Sequence, residues 1–161
     1  MSFIVDPTQY QILISVALAM LLGAIIGFER EMAHKPAGLR THMLVAGAAA
    51  LLLALSDAII EHFNTDLGNT LVRSDPIRIL EAVIAGISFL GAGTIIRHRS
   101  ENGGVEGLTT AASMLFVAGI GICAGLSQWV LAVGATILGL ITLRVVPLIE
   151  QWLERRWKSN E

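Results

Sequence analysis

The chain has 161 residues, 54% of them hydrophobic and only 15% charged, with a mean hydropathy of +0.69. That balance leaves too little polar surface to cover a compact soluble core, so the sequence reads as an integral membrane protein. The formal net charge of −2, with no basic face and no interleaved aromatics, excludes a nucleic-acid partner, and a lone Cys123 in an apolar run excludes an intramolecular disulfide.

Residues 7–28, 41–56, 82–96 and 107–143 contain no Asp, Glu, Lys or Arg. A spanning helix needs about 20 mostly apolar residues, and the last of these tracts is long enough to cross twice. The predicted fold class is therefore all-α integral membrane with about five transmembrane helices. They make a single transmembrane domain over residues 1–161, with spans near 10–28, 41–60, 79–96, 108–126 and 129–149 and an amphipathic tail at 150–161. The opening MSFIVDPTQYQ lacks the basic n-region of a signal peptide, so no cleavage is expected.

Span 1 carries Gly23 and Gly27 as a GxxxG pair, whose missing side chains let another helix approach. The loop that follows holds Glu29, Arg30, Glu31, Lys35 and Arg40, with Pro36 as a helix terminator and Gly38 as a turn residue. Thr41 is expected to cap span 2, which brings Asp57, Glu61 and His62 to its far end. Ser74-Asp75-Pro76 starts span 3, with Glu81 one turn inside, and Gly86, Gly91 and Gly93 allow close contacts or a local break. After Arg97-His98-Arg99 comes a second charged turn ending at Gly107. Span 4 then opens with the small residues Thr109 to Ser113, a face that belongs against protein. Ser127-Gln128 makes a tight turn into span 5, where Arg144 is an intramembrane charge and a functional candidate by default. It either snorkels to the interface or pairs with Glu29.

The two charged turns echo each other: Gly38-Leu39-Arg40-Thr41 matches Gly107-Leu108-Thr109-Thr110. Spans 1–2 and 3–4 are thus two similar, parallel-oriented hairpins, with span 5 added. Basic residues are retained on the cytoplasmic side. Arg30, Lys35, Arg40, Arg97, Arg99, Arg155, Arg156 and Lys158 lie on one side, against Arg73 and Arg78 on the other, which predicts an external N-terminus and a cytoplasmic C-terminus.

Both turns then face the cytoplasm, where helix N-termini and Arg forks favour anions. The candidate ligand or interaction site comprises Glu29, Arg30, Gly38, Arg40, Thr41, Gly91, Gly93, Arg97, Gly107, Thr109 and Thr110, with Asp57, Glu81 and Arg144 as intramembrane charges. The alternative is that Glu29 and Glu31 pair with the arginines and lock the hairpins together. Asp57 and Glu81 are a thin shell for magnesium, and Arg78 is an equally good partner for Glu81. His34, His42, His62 and His98 have no zinc-enzyme spacing, and no nucleophile elbow, Walker loop or dinucleotide fingerprint occurs, so no catalysis is predicted. No cofactor is required by these residues; magnesium or an anion are the candidate ligands. The lipid bilayer is the expected surrounding, and the small-residue faces leave room for a homodimer.

GFERE, KPAGLRTHMLVAGAA, GISFLGAGTIIR, GLTTAAS and AGIG, in this order, resemble the MgtC/SapB family of bacterial inner-membrane proteins over nearly the whole chain. The resemblance implies family positions at Glu29 and Arg30, Ala37 to Thr41, Phe89 to Gly93, and Gly107, Leu108, Thr110, Ala111 and Ala112. It also implies a role in adaptation to magnesium limitation, with effects on partner inner-membrane proteins and, in some pathogens, on survival inside host cells. Leu115 stands where many members carry Trp, and the soluble cytoplasmic domain of larger members is not in the sequence. The expectation is a regulatory or binding component; a transporter or channel for a small ion or solute is the alternative.

Overall fold

A computed structural model describes residues 7–66, 76–97 and 107–158. They form five helices: α1 Pro7–Met32, α2 Leu39–Asp66, α3 Pro76–Arg97, α4 Leu108–Gly125 and α5 Trp129–Lys158. All five are long and apolar enough to cross a membrane, and no strand occurs among the described residues. Proline begins α1 and α3, where its missing N–H costs nothing because first-turn donors have no intrahelical partner.

α1 runs past the expected end at residue 28, so that Glu29, Arg30 and Glu31 are helical rather than loop, and stops at Met32, short of Pro36. It ends in a Schellman motif: Lys35 N–H donates to Arg30 O and His34 N–H to Glu31 O, each at 3.0 Å, with His34 left-handed at φ 53°. α4 ends in the same way, Gln128 N–H reaching Cys123 O at 2.8 Å and Ser127 N–H reaching Ala124 O at 3.0 Å around Ser127 at φ 58°. Two left-handed residues thus make the two tight reversals in which both sides are described.

α4 is the central helix and packs on the other four. Its contact with α2 is made by backbone: a Cβ on Gly121 would collide with Ala46 O, and one on Gly125 would stand 2.9 Å from Ala50 O. The expected GxxxG pair on α1 seats against α2 in the same manner, since a Cβ on Gly23 would lie 2.6 Å from His42 O and one on Gly27 2.8 Å from Leu39 Cα. Around this core of Ala19, Ile26, Ala46, Ala50, Val117 and Ile120, large apolar side chains such as Leu13, Leu44, Phe89 and Val130 point outward, as the surface of a helix bundle in lipid requires.

α3 is a continuous helix, so its glycines do not break it. Gly91 serves close packing, its would-be Cβ lying 3.1 Å from Ala111 Cβ, whereas nothing stands within 4 Å of Gly86 or Gly93. The segment expected as a separate amphipathic tail instead continues α5 to Lys158, through Pro147. Its 30 residues are about 45 Å long, beyond the roughly 30 Å hydrocarbon core, so the end of α5 carries the charged tail out of the bilayer.

Successive helices alternate in direction. The end of α1, the start of α2, the end of α3, the start of α4 and the end of α5 gather at one end of the bundle, which holds Glu29, Arg30, Glu31, Lys35, Arg144 and Glu150.

Candidate functional site at the charged end

The last turn of α1 supplies two neighbouring acids and a base with separate duties. Glu29 and Arg30 are 6% and 4% exposed, and Arg30 Nε donates to Glu29 Oε2 at 2.6 Å. Buried charges persist when paired, and this pair neutralises itself within one turn. Glu31 turns the other way and accepts the Leu39 N–H at 2.7 Å. That carboxylate fills the N-terminus of α2, where unpaired amides and the helix dipole favour negative charge. Thr41 therefore does not cap α2; the helix begins two residues earlier, at Leu39, and the cap comes from the preceding helix. The anion expected at this helix start is the chain's own. Gly38 makes room for it, because a Cβ there would lie 2.5 Å from Glu31 Oε2.

Behind this cap, His42 is fully buried. Its Nδ1 lies 2.9 Å from Gly38 O, its Nε2 3.0 Å from Ser113 Oγ, and Ser113 Oγ 2.8 Å from Thr110 O. A carbonyl only accepts, so Nδ1 carries the hydrogen, and the neutral ring offers Nε2 as an acceptor. The Ser113 hydroxyl hydrogen then has two acceptors, Nε2 and Thr110 O. This link ties the start of α2 to the start of α4, 71 residues apart in sequence. Sequence reasoning sought histidines in metal spacing and passed over this one. The signal was its place on the contact face of the Gly23/Gly27 pair.

The start of α4 is set by Gly107, left-handed at φ 92° as N-cap and packed with a would-be Cβ 3.1 Å from Thr94 O. Only glycine adopts this conformation without strain so close to another backbone. Thr110 turns into the core, while Thr109 is exposed and faces a cleft of about 730 Å³. Glu29, Arg30 and Lys35 line that cleft from α1 and its turn, and Thr142, Arg144 and Glu150 line it from α5. Arg144 and Glu29 share the cleft as expected, yet Glu29 is paired with Arg30, and Arg144 has no ion pair among the described residues. A smaller apolar cavity of about 390 Å³ between α4 and α5, lined also by Ile26 of α1, shares Thr109, Thr142 and Leu143 with it.

Not every expected residue joins. Arg40 is exposed and Thr41 half-buried, and neither lines the cleft. Gly93 faces outward and Glu81 is exposed on α3, also away from the cleft. The side chains of Asp57 and Arg97 lie outside the described residues. Among the described residues no three His, Cys, Asp or Glu groups stand together as metal ligands.

The model of the MgtC family matches residues 16–152, which includes every residue lining the cleft. The chain belongs to the MgtC family. An uncharacterized protein of Haemophilus influenzae is 40% identical over 151 residues, 94% of this chain and 62% of that protein. Protein SapB of Bacillus subtilis is 32% identical over 156 residues, 97% of this chain and 62% of SapB. Protein MgtC of Salmonella typhimurium is 40% identical over 130 residues, 81% of this chain and 50% of MgtC. The chain thus spans between half and just under two thirds of the length of these relatives, and no solved structure matches it. In this MgtC-family chain three of the segments that carry the resemblance build the charged end, the buried 29–30 pair, the 37–41 start of α2 and the 107–112 start of α4, while a fourth, Phe89 to Gly93, lies within α3. Leu115, at the position where Trp was expected, is 41% exposed on α4.

Proposed function

We propose that this chain is a regulatory or binding component of the bacterial inner membrane in adaptation to magnesium limitation, with its charged end and C-terminus in the cytoplasm. The family membership supports the setting, and the excess of Lys and Arg at the charged end supports the orientation. One observation carries the choice of a binding component over a conduit. Just inside the charged end the buried polar groups close on one another, Arg30 on Glu29 and His42 on Gly38 and Ser113, and beyond them α4 meets the α2 backbone at Gly121. Such a closed end suits a rigid surface presented to other inner-membrane proteins. We assign it no catalytic chemistry.

The competing reading, a transporter or channel for a small ion or solute, is favoured by the cleft of about 730 Å³ at the same end. Proteoliposomes decide between them. A regulator moves no tracer magnesium, phosphate or polyamine alone and co-purifies with a membrane protein under magnesium limitation; tracer flux lost on Arg144→Gln would refute the regulatory reading.

A further inference from the structure

The apolar cavity between α4 and α5 and the charged cleft are two parts of one groove, since Thr109, Thr142 and Leu143 line both. The apolar part is walled by Phe116 and Leu138, floored by Ile26, and open outward, with Thr109, Ala112, Phe116 and Leu138 all exposed. We propose that this groove binds one anionic phospholipid, a single acyl chain lying between α4 and α5 and the phosphodiester resting against Arg144 and Lys35. The inference goes beyond the regulatory reading and does not rest on it.

Size selects the chain. From Ala135 to Arg144 the groove follows nine residues of α5, about 13.5 Å at the helical rise, close to the roughly 15 Å half-thickness of the hydrocarbon core. The apolar part, about 390 Å³, lies along Ala135 to Leu143, eight residue steps and about 12 Å, which gives a mean cross-section of about 33 Å². A helix with side chains is about 10–12 Å across, roughly 80 Å² or more, and does not fit. One extended alkyl chain does, running from the level of Arg144 toward the midplane.

Charge selects the headgroup. Within the cleft Arg30 is neutralised by Glu29, which leaves Lys35 and Arg144 against Glu150, two bases to one acid. Neither base has an ion pair among the described residues. One surplus positive charge at the mouth of an alkyl-sized groove matches a phosphodiester with no compensating amine, and the guanidinium fork of Arg144 suits its oxygens. Gly139 helps keep the groove open at its inner wall, where a Cβ would meet Phe116 Cε1 at 2.7 Å.

The test is native mass spectrometry of the full chain in mild detergent, titrated with phosphatidylglycerol, phosphatidylethanolamine or the chain-free headgroup glycerophosphoglycerol. One phosphatidylglycerol is retained per chain, at least tenfold more tightly than phosphatidylethanolamine. Lys35→Gln and Arg144→Gln each weaken it about fivefold, the effect of one basic residue near a lipid surface. Ala112→Phe and, independently, Leu138→Trp fill the groove and abolish retention with both bases intact and the lipid-free melting temperature unchanged. The proposal is overturned if phosphatidylethanolamine is held equally well, if glycerophosphoglycerol displaces the lipid at equal concentration, or if both groove-filling variants bind normally. Occupancy is read without reference to flux or partners, so its failure is separable from failure of the regulatory reading.

Discussion

Glu31 and Gly38 form a unit whose coupling is calculable. Glu31 Oε2 holds the Leu39 N–H at 2.7 Å, and an alanine methyl at 38 would stand 2.5 Å from that oxygen and 3.2 Å from its carboxyl carbon. Glu31 is exposed and swings into water when pushed, so Gly38→Ala costs the cap and little else. A side-chain cap at a helix start contributes about 0.5–2 kcal/mol. Gly38 is not among the positive-φ glycines, so alanine there also gains about 0.4–1 kcal/mol by restricting the unfolded chain. Glu31→Ala alone therefore destabilises by about 0.5–2 kcal/mol, lowering the melting temperature by about 1–8 °C at about 2–4 °C per kcal/mol for a chain of this size. Gly38→Ala destabilises less than Glu31→Ala in the native background and stabilises in the Glu31→Ala background. Thermal unfolding of the four proteins in detergent, followed by circular dichroism, measures the cycle. Additive losses would refute the claim that Glu31 caps α2.

Removing either member of the buried Glu29–Arg30 pair, as in Glu29→Leu or Arg30→Met, costs about 3–5 kcal/mol because a buried charge is left alone, while the double variant recovers most of it; chemical denaturation reads both. Gly121→Ala forces α4 off the α2 backbone and lowers stability by about 1–3 kcal/mol, whereas Gly119→Ala, with nothing within 4 Å, is neutral or stabilising in the same assay. His34→Gly and Ser127→Gly relieve left-handed strain of about 1–2 kcal/mol each, partly offset by glycine's freedom in the unfolded chain, and so raise the melting temperature slightly.

The number of helices, their alternation and the meeting at one end of the α1, α2, α3 and α4 ends that flank the two charged turns were legible because charge-free tracts and basic loops report directly on the bilayer. The Gly23/Gly27 contact was legible from spacing. The Gly121/Gly125 contact was not, because its other half, Ala46 and Ala50, lies on another helix and no local pattern pairs them. The end of α1 escaped for a related reason, whereas the turn after α4 was read at Ser127-Gln128, where it occurs. His34 does the work usually given to glycine, so Pro36 stood out as the stop while the reversal had begun two residues before it. In the site, sequence identified the charges but not their partners. Glu31, an arginine's partner in the alternative reading, holds an amide instead, Arg144 and Glu29 share a cleft without pairing, and His42 with Ser113 became visible only when α2 and α4 were laid side by side.

Thiol labelling from either face of the membrane is the most direct trial of this arrangement. In a Cys123→Ala background, single cysteines at Lys35 and Glu150, both exposed in the cleft, and at Gln128, exposed in the α4–α5 turn, are treated with an impermeant maleimide in intact and in opened cells. The positions at 35 and 150 should label only once the cytoplasmic face is opened, and that at 128 in intact cells. Reaction of 35 and 150 from opposite faces would contradict the shared charged end on which the cleft depends.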